Sequence, residues 1–336
     1  MPVTSIGDLA RSYVLRTRNT DLRQSLTRLG QEVASGRTSD PVARLGGHFS
    51  YLSQIEHDLV LASSYNTGAK EVQISATTMQ TALARIGEVT DGLVGTLTLA
   101  TSASGPTDLT VAAADARGTV ESIVSALNSS AAGRHLFSGT AVGMPALAEA
   151  GDLLAELRNA VSGAVSPADA RAAADSFFDT PGGAFESLIY TGSTTSLAPV
   201  QLGAGESANL DLRADHVAFR ETLKNAALVA LADDPGLALD DAARRGLFGD
   251  ALNGLLSAKD SQVAVRADLG FAEERIARAG TRIEAEITSL QLARNDLLAV
   301  DPFDAATELE AVQMQLETLY TVTARTSRLS LVNFLS

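Results

Sequence analysis

No cysteine occurs among the 336 residues, which excludes disulfide frameworks, thiol nucleophiles and thiolate metal sites together. Tryptophan is also absent and aromatics make up only 4% of the chain, so a core must be aliphatic, built from Leu, Ile, Val and Ala. Basic residues are outnumbered by acidic ones, 26 to 40, giving a formal charge of -14. That is the wrong sign for tracking phosphates or binding anionic lipid, so no nucleic acid is expected as a partner. No stretch approaches the roughly 20 apolar residues of a bilayer-crossing helix. Met1 to Ala10 lacks a charged segment followed by an apolar one, so neither membrane insertion nor a cleaved signal peptide is expected.

Motifs that carry chemistry are missing as well. The four histidines, His48, His57, His135 and His216, stand in unrelated contexts, with no His-x-x-x-His, no His-Glu-x-x-His and no Asp-x-Asp-x-Asn-Gly loop. Gly203-Ala204-Gly205 lacks the third glycine of a dinucleotide loop and reads as a turn between short strands. Neither a phosphate-binding Gly-x-x-x-x-Gly-Lys-Ser nor a Gly-x-Ser-x-Gly elbow is present. Glu273-Glu274 and Asp233-Asp234 read as solvated helix faces or caps. The sequence therefore predicts no catalytic residue, no cofactor and no metal, and not an enzyme.

What the chain does have is helical periodicity. Leu22, Leu26, Leu29 and Val33 step by 4, 3 and 4 and form one stripe of a helix that should stop at Gly36. Asp40 and Pro41 make an N-cap and first-turn pair for a second helix, interrupted at Gly46-Gly47. From Val72 to Leu97 the positions Val72, Ala76, Met79, Leu83, Ile86, Thr90, Leu93 and Leu97 keep the alternation of a coiled-coil seam. After a turn cluster at Ser102 to Asp108, an Ala-rich pattern resumes with Val120, Ile123 and Leu127 on one side.

Between Ser138 and about His216 the helical pattern breaks. A small mixed domain is expected there, with alternating runs Val200-Gln201-Leu202 and Leu210-Asp211-Leu212 as strands and one helix from Pro167 capped by Ser166. Tyr190 and Phe185 are expected to pack its core. Helical periodicity returns from Val217 to Leu231, from Leu239 to Val265, and at Ile276, Ile283, Ile287, Leu290 and Leu297. Asp301 and Pro302 then cap a last helix whose stripe is Leu309, Val312, Leu316, Leu319 and Thr323. This predicts a mainly α fold in three parts: an N-terminal helical core segment (1–137), a variable mixed outer domain (138–215) and a C-terminal helical core segment (216–336).

A helix of some 30 residues loses about 1 to 2 kcal/mol of backbone entropy per residue, while four or five buried aliphatic side chains return only roughly 1.5 to 3 kcal/mol each. Each terminal helix therefore needs something to cover its stripe. Met1 to Leu45 carries arginines 11, 16, 18, 23, 28, 37 and 44 against Asp8, Asp21, Glu32 and Asp40, a net +3. Asp296 to Ser336 carries acids 296, 301, 304, 308, 310 and 317 against Arg325 and Arg328, a net -4. The two ends either pair with each other and with neighbouring copies, making Leu22, Leu26, Leu29, Val33, Leu309, Val312, Leu316 and Leu319 an assembly interface, or they close an ordinary helical bundle.

The segment from Leu127 through Gly133-Arg134-His135-Leu136-Phe137-Ser138-Gly139-Thr140 resembles the junction that flagellin-like hook-associated proteins carry after their second long helix, with His135 where Tyr is more usual. Ala34-Ser35-Gly36-Arg37 and Ser39-Asp40-Pro41 look like the family's Ser-Gly-basic turn and a shortened Asp-rich segment. The tail Leu329-Ser330-Leu331-Val332-Asn333-Phe334-Leu335 is similar to that of the member that joins hook to filament. The resemblance implies a flagellin-like fold, with a long antiparallel helical bundle made by both termini and a small α/β outer domain, and Arg134, Leu136 and Phe137 at the domain junction. It implies a structural adaptor between hook and filament, or alternatively flagellin itself. It further implies a ring of identical subunits, other hook-associated and flagellin subunits and a flagellar export chaperone as partners, and export by the flagellar type III route to the cell exterior.

Overall fold

The computed structural model describes residues 6–47, 49–102, 106–237 and 239–335, and their side chains except at 6–9, 106–107 and 326–335. His48 and the turn residues Ala103, Ser104 and Gly105 lie outside the described residues. In chain order the elements are α1 (Ile6–Ser35), α2 (Pro41–Leu45), α3 (Ser50–Ser102), α4 (Pro106–Leu127), a hairpin of β1 (Ser130–Ala131) and β2 (Arg134–His135), α5 (Ala150–Val161) and α6 (Pro167–Asp179). A π-helical turn (Phe185–Ile189), a second hairpin of β3 (Val200–Gly203) and β4 (Glu206–Ala208), α7 (Val217–Leu231), α8 (Asp241–Leu298) and α9 (Pro302–Leu335) follow. The fold is mainly α with a small α/β part. It divides into two compact units, residues 64–284 and residues 1–63 with 285–336.

In the unit of residues 64–284, the seam read on α3 is the buried face: Val72, Ala76, Met79, Leu83, Ile86, Thr90, Leu93 and Leu97 are all buried. Thr90 fits because its hydroxyl donates to the Ile86 carbonyl at 2.7 Å, which removes the cost of a buried unpaired polar group. The facing stripe of α8, Leu255, Ala258, Gln262, Val265, Leu269, Ile276, Ala279 and Ile283, is buried at the same 3,4 spacing. Polar pairs join the exposed edges of these antiparallel helices: Lys259 with Asp91 at 2.6 Å, Lys70 with Glu284 at 3.0 Å, and the Gln80 amide donating to the Arg266 carbonyl at 2.9 Å.

Helix α7 is the centre of this unit. From Thr222 to Leu231 every residue is buried, Lys224 and Asn225 included, which a helix tolerates only when neighbours cover all its sides. It packs against α4, α5 and α6. Its approach to α8 needs a glycine: a Cβ on Gly254 would lie 2.3 Å from the Asn225 Oδ1. One turn earlier, the buried Gln262 amide donates to Thr222 Oγ1 at 2.6 Å. The Lys224 ammonium donates to Asp179 at 2.7 Å, to Glu221 at 2.8 Å and to Asp175 at 2.9 Å, tying α6 to α7. Burial alone would lower the Lys224 pKa, but the hydrogen bonds to Asp179, Glu221 and Asp175 raise it well above the ordinary lysine value.

The mixed part is anchored as its residues suggest. Ser166 Oγ accepts from the Asp169 N–H at 3.2 Å with Pro167 in the first turn of α6. Phe185 and Tyr190 are buried, and the Phe185 ring lies 5.2 Å from that of Phe178. The second hairpin differs from the sequence reading. Val200-Gln201-Leu202 is in β3, but its partner is Glu206–Ala208 and not Leu210-Asp211-Leu212, which form no strand. The turn closes at once through Gly205, whose φ of +79° suits glycine. Pairing at Leu210 would have required a longer loop than the glycine pair makes.

Candidate assembly surface

The terminal unit is built on α1 and α9, which pack against each other. Gly36, with a φ of +68°, ends α1, and Asp301 starts α9 by accepting from the Phe303 N–H at 2.8 Å. The two turns hold each other. The Thr38 N–H donates to the Leu298 carbonyl at 2.8 Å, the Val300 N–H donates to the Gly36 carbonyl at 3.1 Å, and the Arg37 guanidinium donates to Asn295. Buried Glu32 completes the clasp, accepting from the Ser39 N–H at 3.0 Å, the Ser39 hydroxyl at 2.9 Å and Arg28 at 3.3 Å. Burial would raise the Glu32 pKa, but Ser39 and Arg28 together hold its carboxyl below the ordinary value.

The eight stripe positions meet along this antiparallel pair to different depths. Leu22, Leu29 and Leu316 are buried, while Leu26, Leu309, Val312 and Leu319 are half-buried and Val33 is 36% exposed. A shallow groove beside the seam is lined by Arg18, Leu22, Met314, Leu319 and Val322. Tyr13, Val14, Phe303 and Met314 are each more than 60% exposed. The opposite charges of the two ends do not form ion pairs between α1 and α9 among the described residues. Arg23 instead donates to the Tyr320 hydroxyl at 2.9 Å, and hydrogen bonds from Arg23 and Asn19 lower the phenol's pKa.

The second sequence-predicted cluster, Arg134, Leu136 and Phe137, lies in the unit of residues 64–284. The β1–β2 hairpin turns through Ala132 and Gly133, both with positive φ, pairing Ala131 with Arg134. Asn128 ties the end of α4 to this corner, its side chain donating to the Leu147 carbonyl at 2.9 Å and accepting from the Leu147 N–H at 2.8 Å. Phe137 is fully buried and meets Phe219 edge-on with centroids 6.1 Å apart. Its carbonyl accepts from the Ala214 N–H, and that of Ser138 from the Ser193 N–H, both at 2.9 Å. Gly139 has a φ of +58°, and a Cβ there would lie 2.5 Å from the Ser193 carbonyl oxygen. The Leu-Phe-Ser-Gly run thus locks three chain segments together. Arg134 itself is exposed, and among the described residues its guanidinium makes no ion pair or hydrogen bond.

Sequence reasoning missed the Lys224 cluster, whose visible signal was the Glu221-x-x-Lys224 spacing inside an otherwise apolar run. Among the described residues no group of three or more His, Cys, Asp and Glu could hold a metal ion, and no helix is long and apolar enough to cross a membrane.

Residues 255–335 match the family model of the bacterial flagellin C-terminal helical region. No curated protein matches the chain. A solved structure from Vibrio parahaemolyticus, assigned as a flagellar hook-associated protein, is similar in fold with a TM-score of 0.50 and 13% identity, over 73% of this chain and 95% of that one. The C-terminal part of the chain, residues 255–335, is thus similar to the flagellin C-terminal helical region, and the mainly α fold is similar to that of the Vibrio protein.

Proposed function

We propose that the chain is the adaptor that joins hook to filament, assembling as a ring of copies through its paired terminal helices. The observation that carries this reading is the terminal unit itself. One seam is covered within the chain, while Tyr13, Val14, Phe303 and Met314 stay exposed on the same helices, and apolar surface of this kind marks interaction sites. Leu22, Leu26, Leu29, Val33, Leu309, Val312, Leu316 and Leu319 form the seam that neighbouring copies complete. Segments 1–137 and 216–336 supply the axial core and 138–215 the outer domain, with Arg134, Leu136 and Phe137 at the junction. Other hook-associated and flagellin subunits lie above and below the ring.

Export by the flagellar type III route with a dedicated chaperone fits a chain free of cysteine. The likeness to a protein assigned as hook-associated supports the adaptor over the filament, and so do Leu136-Phe137-Ser138-Gly139 and the Leu329 to Leu335 tail. The match to a flagellin C-terminal region favours flagellin as the second reading. Deleting the gene separates the two. An adaptor deletion leaves hooks in place and releases unassembled flagellin into the medium; normal filaments in that strain reject the adaptor. Loss of flagellin subunits from the medium and from the cell surface together points to the second reading.

A further inference from the structure

The unit of residues 64–284 carries a hollow that its own side chains leave unfilled. Val72 and Met79 of α3 and Leu136 beside the first hairpin give it an apolar lining, and its volume is about 260 Å³. A cavity of roughly 150 Å³ already accepts a benzene ring. Glu71, Ile74 and Arg134, also in the lining, are exposed and form the rim. Among the described residues neither the Glu71 carboxylate nor the Arg134 guanidinium has an ion-pair or hydrogen-bond partner.

The same unit presents a knob. Phe271 of α8 is 70% exposed, the one exposed aromatic among the described residues 64–284. It stands two residues from buried Leu269 and two from Glu273, which accepts from the Thr77 hydroxyl of α3 at 2.7 Å, so about 200° of helix rotation turns it away from α3. Ser75 in the lining of the hollow is likewise two residues from Thr77, which puts the hollow on the flank of α3 turned away from α8. Knob and hollow therefore face outward on different sides of the α3–α8 pair. They are also level. Gly270, next to Phe271, lies beside Gln80, whose Nε2 would be 3.6 Å from a Cβ there, and Gln80 follows Met79 of the hollow. Glu274 and Arg278 share the face of Phe271 and pair with each other at 3.3 Å, both well exposed. Counted from the Thr77–Glu273 contact along the antiparallel helices, Arg278 stands at nearly the level of Glu71.

We propose that Phe271 of a second, identically oriented copy of the chain seats in this hollow, with that copy's Arg278 against Glu71 and its Glu274 against Arg134. The contact joins two different surfaces, so it repeats head to tail. Because knob and hollow are level, each copy is turned about an axis along the helices with little shift along it, and a ring follows where the rotation closes. The inference rests on the self-assembly proposed above and adds to it a lateral contact made by residues 64–284. A second copy is the occupant because one chain carries both halves, each with one acid and one base placed to meet their opposites. The buried ring supplies apolar burial, while the exposed charges set register.

A chain without native cysteine allows a direct test by cross-linking. Ile74→Cys stands at the rim of the hollow and Glu274→Cys beside the knob. A short thiol-reactive cross-linker is applied to concentrated, purified full-length chain, with helicity checked by circular dichroism. The double variant should give a ladder of dimers, trimers and higher species. An equimolar mixture of the two single variants should stop at dimers, and either single variant alone should give none. Adding Phe271→Ala to the double variant should lower the cross-linked fraction about tenfold, the loss of one buried phenyl ring. Glu71→Arg should lower it a few-fold and Arg278→Glu in the same chain restore it; this exposed swap carries the test if Phe271→Ala costs helicity. Absence of a ladder from the double variant, cross-linking of a single variant with itself, or a ladder indifferent to Phe271→Ala overturns the proposal. These assays use purified chain and the adaptor reading is tested by gene deletion in cells, so either can fail while the other stands.

Discussion

Replacing Lys224 by Met isolates the one charge buried in the middle of α7 while roughly keeping its volume. The lysine side chain is 4% exposed, whereas its partners Asp175, Asp179 and Glu221 are 45%, 37% and 33% exposed. Breaking a fully buried pair costs about 3 to 5 kcal/mol. Here the three carboxylates can recover water and the methionine is well suited to an apolar site, so a loss of about 2 kcal/mol is expected. For a unit the size of residues 64–284, that lowers Tm by about 4 to 8 °C. Thermal unfolding of wild type and Lys224→Met, followed by circular dichroism, measures it, and hydrogen exchange should localise the loss to α6 and α7.

The pH dependence gives a second reading of the same cluster. Because Lys224 is held above its ordinary value in the fold, its contribution is fully present below the unfolded lysine pKa of about 10.4 and disappears as pH rises through the folded value. Wild type should therefore lose its advantage over Lys224→Met only on the alkaline side. A variant within about 1 °C of wild type at neutral pH, or a difference that does not shrink above pH about 10.4, refutes the reasoning.

Gly139→Ala should destabilise the junction by about 1 to 3 kcal/mol, since the new Cβ meets the Ser193 carbonyl oxygen at a strained φ; faster proteolysis between Tyr190 and Ser196 checks it. Leu26→Glu/Leu316→Glu should abolish incorporation into flagella while residues 138–215 stay folded, with protease resistance of that segment as the control. Glu32→Gln should leave a protein less sensitive to acid than wild type. The Glu32 carboxyl is held low by Ser39 and Arg28 despite its burial, so its contribution is present above the unfolded carboxylate value and lost as pH falls through the folded one. Melting temperatures across the acid range should converge at the lowest pH and separate above it.

Periodicity carried much of the fold because helix seams are written locally. The eight α3 positions from Val72 to Leu97 and the Val120, Ile123 and Leu127 side of α4 are buried as their spacing implies. Capping was equally local: Gly36, Asp40, Ser166 and Asp301 each act at the boundary their residue type suggests. Contacts between segments far apart in sequence had no such signature. Asn225 over Gly254, Gln262 with Thr222 and Lys224 with Asp175 and Asp179 depend on which helices become neighbours, and nothing in their spacing announces it. The strand at Leu210 failed for a related reason, since alternation over three residues is too short to outweigh the turn geometry set by Gly205. At the assembly surface the stripes were legible, but the clasp joining Gly36, Thr38, Leu298 and Val300 is made by backbone groups that any sequence could supply.

That clasp gives the terminal helix pair a fixed root and a loosening gradient. Glu32, Leu29 and Ala305 are deeply buried near it, whereas beyond Leu22 and Leu316 no described side chain of α1 or α9 is buried. Opening should therefore begin at the free tips and travel inward, like a zip whose closed end is stitched. Under the adaptor reading proposed above, neighbouring copies would meet a helix pair already closed at its root and fasten it toward the tips, always in one direction.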